Sequence, residues 1–165
     1  MSTDAIVLLK EDHKEIRRLF KAFQEAEEGP ASKRGKIVGQ ILEALTVHTY
    51  LENEVMYPEV RKLVPDVEDD VLESYEEHHV ADVLCFELFT MDAGDERFNA
   101  KTTVLIENVL HHIEEEQEWF PKVREALGRS PLQEIGQRML DLRPKAPKTP
   151  TAPKALKKSL DAVVA

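Results

Sequence analysis

The chain is 165 residues long and carries 22 Lys plus Arg against 32 Asp plus Glu, a formal net charge of −10, with 42% hydrophobic residues, six His and one Cys. That length buries a substantial single core; the acidity disfavours a clamp on nucleic-acid phosphates, and one cysteine excludes an internal disulfide or a CxxC motif. The first dozen residues lack the basic-then-apolar pattern of a signal peptide, and no stretch approaches the roughly 18 apolar residues of a membrane span, so a cytoplasmic, non-membrane protein is expected.

The first segment runs from about Asp4 to Glu28. Ile6, Leu9, Ile16, Phe20 and Phe23 recur at threes and fours, which is one face of a helix, and Gly29-Pro30 ends it. A second begins near Ser32 and keeps the period through Ile37, Ile41, Leu45, Leu51 and Val55; at Pro58 a kink or break is expected, because proline removes a helical hydrogen bond. The chain halts at Val64-Pro65-Asp66. A third segment spans about 67–92, and a fourth about 95–127 with Pro121 inside it and Gly128 as terminator. A short fifth helix opens at Ser130-Pro131, with Ser130 as the cap and Gln133 in the capping-box place, and closes before Arg143-Pro144. No period-two run long enough for a strand occurs.

These elements predict an all-α protein: an up-down antiparallel four-helix bundle over residues 1–128, a short accessory helix over 129–143, and a Pro/Lys-rich tail over 144–165. Pro144, Pro147, Pro150 and Pro153 favour extended chain in the tail. Its five Lys against one Asp give +4, leaving −14 for residues 1–143. The tail reads as a solubilising linker or as a docking segment for a partner protein.

The most informative feature is an internal repeat. His48-x3-Glu52-x4-Tyr57-Pro58-x-Val60-Arg61 recurs without a gap as His111-x3-Glu115-x4-Phe120-Pro121-x-Val123-Arg124. An acid-His pair precedes each copy, Asp12-His13 and Glu77-His78. Residues four apart share a helix face, so His48 and Glu52 project together, among the apolar residues that face the core; His13 likewise interrupts an apolar series. A carboxylate buried there is costly unless a cation compensates it. Imidazoles and carboxylates converging from facing helices form a metal site, and two such halves form a site for two ions, with a Glu from each half able to bridge. Mixed nitrogen and oxygen donors suit iron, ahead of manganese or zinc.

The ordered series His13, His48-x3-Glu52, His78, His111-x3-Glu115, with an aromatic-Pro pair ending each long motif, resembles the haemerythrin-like (HHE cation-binding) domains over about residues 4–127. The resemblance implies a non-haem di-iron centre with an oxo or hydroxo bridge. It assigns His13, His48 and Glu52 to one iron and His78, His111 and Glu115 to the other. It also implies reaction with or binding of O2, hydrogen peroxide or nitric oxide. The five-His pattern of the O2 carriers is incomplete here, which favours reaction, including catalase-like turnover of peroxide, over simple carriage. An iron or oxygen sensor signalling through a partner is the alternative; ferritin-like storage fits poorly because its Glu-x-x-His pairs are missing at these places. Tyr57 is a further candidate, as an extra oxygen ligand or a neighbour of the ligands, although five residues beyond Glu52 is the wrong phase for an undistorted helix.

Two choices stay open in the residues. The histidines are doubled at His78-His79 and at His111-His112. The apolar face of the fourth segment (Leu105, Val109, Phe120, Val123) points closer to His112 and Glu116, whereas the ten-residue distance from His to Pro in both copies selects His111. The repeat spacing predicts His111 and Glu115 as the ligands. Cys85 is read as a packing residue.

Overall fold

The computed structural model describes residues 2–153; the second half of the expected tail lies outside the described residues. Every regular element within them is helical: α1 (Ala5–Ala26), α2 (Ala31–Leu51), α3 (Tyr57–Leu63), α4 (Glu68–Thr90), α5 (Phe98–Leu127) and α6 (Arg129–Leu142), with short 3-10 turns at Pro65–Val67 and Arg143–Lys145. The pairs α1–α2 and α4–α5 pack along their lengths, and α6 lies across α1 and α5.

The ends follow from local chemistry. Asp4 caps α1 by accepting a hydrogen bond from the Val7 amide (3.1 Å), and the same carboxylate takes two hydrogen bonds from Arg124 on α5 (2.8 and 3.0 Å). Gly128, at φ 72° and ψ −169°, adopts a positive-φ extended conformation open essentially to glycine and so ends α5. It also precedes α6, which starts two residues earlier than the Ser130 cap predicts; no side chain caps that helix, and Pro131 falls within its first turn.

Neither proline breaks its helix. Pro121 lies inside a continuous α5. At Pro58 the expected kink is replaced by a change of pitch: α2 passes through a π-helical turn at Glu52–Met56 into α3, with the Tyr57 amide donating to the Glu52 carbonyl five residues back. The π turn holds one more residue than an α turn, and Pro58, lacking an amide hydrogen, sits in the first turn of α3.

Two apolar clusters fill the interior. One gathers Leu9, Leu51, Met56, Tyr57, Val60, Trp119, Phe120 and Val123 with Leu132, Ile135 and Met139 of α6. The other gathers Ile16, Phe20, Phe23, Ile41, Leu45, Leu105 and Ile113 with Cys85, which packs as read from the sequence. Between them in sequence on each long helix come the buried polar residues His13, His48, Glu52, His78, His112 and Glu116.

The chain before α1 crosses α6 so closely that a Cβ on Gly136 would lie 1.6 Å from the Thr3 carbonyl oxygen, whereas one on the mid-helix Gly39 would meet nothing within 4 Å. Gly136→Ala is therefore expected to cost ~1–3 kcal/mol as the N-terminal segment is pushed away. Gly39→Ala is expected to add ~0.5–1 kcal/mol. Urea unfolding of the two variants checks the opposite signs.

Candidate metal centre

Four helices each contribute to one buried polar layer: His13 from α1, His48 with Glu52 from α2 and its π turn, His78 from α4, and His112 with Glu116 from α5. Both glutamates are fully buried, and the four histidines are 2–5% exposed as whole residues. The donors fall into two sets, each within 4.8 Å: His13, His48, Glu52 and Glu116, and then Glu52, His78 and His112. Glu52 belongs to both. Glu116 also reaches across, its Oε1 3.0 Å from His112 Nε2 and 3.3 Å from His13 Nε2.

The outer nitrogens fix where the rings point. His48 Nδ1 lies 3.0 Å from Asp12 Oδ2, His112 Nδ1 3.0 Å from Glu77 Oε1, and His78 Nδ1 2.8 Å from Asn53 Oδ1. Each oxygen accepts a hydrogen from Nδ1, which in a neutral ring leaves the Nε2 lone pair turned inward. The Nε2 atoms of His78 and His112 are then only 3.1 Å apart, and lone pairs at that distance repel unless something positive lies near them. The acid-His pairs of the sequence are thus divided across helices: His13 and His78 face inward, while Asp12 and Glu77 each hold the histidine of the neighbouring helix.

Several of these atoms have no hydrogen-bond partner: both nitrogens of His13, Nε2 of His48, both oxygens of Glu52 and Oε1 of Glu116. Orphaned carboxylate oxygens at full burial cost several kcal/mol apiece, by order of magnitude. The residues therefore fit a cation, and two donor sets sharing a carboxylate fit two.

The electrostatics of the metal-free site have the same sense. Burial opposes charging His48, yet the Glu52 and Asp12 carboxylates outweigh it and push its pKa up to about 10. Burial would raise Glu52 too, but the charge of His48, whose Nε2 lies 3.0 Å from Glu52 Oε1, holds that carboxyl well below its usual range. Without metal, protons on histidine supply the positive charge.

The structure places the residues expected as ligands in α5, His111 and Glu115, with Glu77 in a separate donor group within 4.8 Å that is not fully buried. His111 and Glu115 lie outside the buried layer, the His111 side chain 61% exposed and paired with Glu115 at 2.9 Å, while His112, at 7%, and the fully buried Glu116 face inward. The π turn explains the shift. In the second half His112, Glu116 and Phe120 step by four; in the first half His48 to Glu52 is four but Glu52 to Tyr57 is five, because the turn adds a residue. Aligning the copies on their aromatic-Pro pairs without a gap therefore selects the neighbour of each inward residue of α5. The apolar phase of that helix held the correct signal. His78 is buried and His79 half-buried outside the layer.

The same extra residue brings Tyr57 back to the inward face, contrary to the phase argument from an undistorted helix. Its hydroxyl donates to Glu116 Oε2 (3.1 Å) and lies 3.3 and 3.4 Å from the Nε2 atoms of His78 and His112. Burial, then the charges of Glu116 and Glu52, raise its pKa well above the ordinary value. Its ring stacks on His78 at 5.2 Å, as Phe120 stacks on His13 at 6.3 Å, so only one half offers a hydroxyl.

A small apolar cavity beside His48, His78 and His112, closed by Ile16, Val109 and Ile113, has room for about one water-sized molecule.

A helical protein with a buried layer of paired His and Glu donors is a cation-binding domain by its chemistry. The hemerythrin HHE cation binding domain family matches residues 4–123, and the chain belongs to that family. The crystal structure of a hemerythrin HHE cation binding domain-containing protein from Mycobacterium kansasii superposes with a TM-score of 0.69 at 19% identity, covering 86% of each chain, and shares the fold. A protein named DNA nickase from a Nostoc species is 28% identical over 121 residues; the match takes in 73% of this chain but spans only 33% of that protein. No helix among the described residues is long and apolar enough to cross a membrane.

Two outcomes follow. Deleting the exposed Glu54 removes the extra residue of the π turn and leaves both flanking faces in register, so the variant should fold with wild-type helix content. Deleting the exposed Glu118 of α5 rotates Trp119 and Phe120 off the core and should abolish cooperative melting; circular dichroism compares the two. For chelator-treated protein, the raised pKa of His48 gives a contribution to stability complete below its ordinary 6.5 and lost as pH rises through about 10. Its melting temperature should fall over that interval, and a flat or rising profile would contradict the assignment.

Proposed function

We propose that the chain binds two iron ions and reacts with, or reversibly binds, small oxidants: hydrogen peroxide, O2 or nitric oxide. The observation that carries this reading is the pair of donor sets sharing Glu52, with carboxylate oxygens and imidazole nitrogens left without hydrogen-bond partners in a layer bounded by hydrocarbon. His13, His48, Glu52 and Glu116 would hold one ion; His78, His112 and Glu52, which belongs to both sets, would hold the other. Mixed nitrogen and oxygen donors of intermediate hardness suit iron ahead of manganese or zinc. When bound, the ions supply redox capacity that the side chains lack.

The chain's own residues have distinct tasks. Asp12, Glu77 and Asn53 hold the rings of His48, His112 and His78 with their Nε2 atoms inward. Tyr57 offers an oxygen that is either an additional ligand or a hydrogen-bond donor to Glu116. The apolar cavity has room for about one water-sized molecule, which supports small oxidants over larger substrates. Disproportionation of peroxide to water and O2, a catalase-like reaction, is the enzymatic form of the proposal. A sensor in which iron loading alters a partner contact is the second reading. It is favoured by the packing of Pro147–Pro153 along a groove that also contains Asn53 and His78.

Protein produced with iron available should carry two irons per chain, melt at a higher temperature than its chelated form, and release O2 from excess peroxide. His112→Ala or Glu116→Ala should lose iron by more than the roughly 10–100-fold in affinity typical of losing an outer partner, while His111→Ala and Glu115→Ala should keep it. Iron without turnover would select the sensor. A metal-free protein of unchanged stability, indifferent to His48→Ala and Glu52→Ala, would overturn both.

A further inference from the structure

The two halves of the layer differ in what lies behind their histidines. Behind His112 is Glu77, whose other oxygen approaches only the exposed His111, at 3.7 Å. Behind His48 is Asp12, and behind Asp12 is a cation: Arg143, the residue following α6, brings one guanidinium nitrogen to 3.1 Å from Asp12 Oδ1 and 2.9 Å from Oδ2. The contact joins positions 131 residues apart in the chain. It closes a line of hydrogen bonds, Arg143 to Asp12 to His48, that ends at His48 Nε2, 3.0 Å from Glu52 Oε1.

The surroundings leave this task to Arg143. Asp12 lies in a surface depression shared with Glu15, Arg18, Glu43 and Arg143. Arg18 is engaged by Glu15 through two hydrogen bonds, at 2.8 and 2.7 Å. The Asp12 side chain is 18% exposed, so water competes with His48 for its oxygens. A carboxylate drawn outward by water would release the His48 ring to turn; a guanidinium bonded to both oxygens holds it in place.

We propose that Arg143 is a positioning residue for the metal centre: from the end of α6 it pins the Asp12 carboxylate that aims His48 inward, and so sets how tightly that half retains its ion. This rests on the two-ion reading given above. Partners behind a ligand histidine commonly affect metal affinity 10–100-fold, and a residue one step further back is expected to act at the lower end of that range. Because a single nitrogen of Arg143 makes both contacts, lysine is able to replace it.

The test uses the full chain loaded with iron and follows release to a chelator, the visible spectrum of the loaded protein, and melting with and without metal. Arg143→Gln should release iron about tenfold faster and shift the visible spectrum, with the melting temperature of the metal-free form unchanged. Arg143→Lys should restore most of the retention. Arg138→Gln, which breaks the surface pair of α6 with Glu59, should match wild type throughout. Release and spectrum unchanged in Arg143→Gln, while wild type holds two irons, would overturn this inference alone. So would a lysine variant no better than glutamine, or an equal loss of stability in the metal-free protein. A wild-type chain that holds no iron would overturn the two-ion reading and this inference with it.

Discussion

Two carboxylates and four imidazoles are buried in the middle of a hydrocarbon interior, and the rest of the molecule is arranged around that cost. Apolar clusters flank the layer along each long helix, so water is kept from it and every charge within it is felt strongly. Glu52 and Glu116 are tolerated only because positive charge is available at the same depth, as protons on histidine or as a bound cation. The outer partners Asp12, Glu77 and Asn53 stand at the boundary between layer and surface, where a polar atom is satisfied on one side and still points a ring to the other.

Much of this was legible in the chain. Helical period, Gly29-Pro30, Val64-Pro65 and Gly128 marked the long helices to within a few residues, because apolar spacing and backbone chemistry act locally. The order of acid-His pairs and His-x3-Glu motifs marked where polar residues would enter the core. The burial pattern of α5 differs from the one the repeat implies, for an identifiable reason. A π turn changes the number of residues per turn without changing composition, and nothing in Glu52–Met56 distinguishes it from an α turn by residue type. Two lines of evidence in the sequence therefore conflicted, the ungapped repeat and the apolar phase of Leu105, Val109, Phe120 and Val123. The phase reports directly on burial, whereas the ungapped repeat reports only on spacing, which the π turn alters.

The same turn places Tyr57 at the layer, and with Phe120 in the matching position the halves are alike in frame but not in chemistry. One half offers a hydroxyl; the other has its histidine-holding carboxylate tied to the far end of the chain. Arg143 could not have been found from spacing, since contacts across 131 residues leave no local signature.

The cavity between Ile16, Val109 and Ile113 has a consequence for discrimination. Its walls are hydrocarbon, with little to hydrogen-bond a visitor or read its shape. Under the proposed function, sorting at this cavity would be by solubility in oil: small, uncharged species would enter, while hydrated ions would be turned back by their dehydration cost. Selectivity would then reside in the hydrophobic wall, and an apolar residue such as Val109 would govern which molecules reach the histidines beside it.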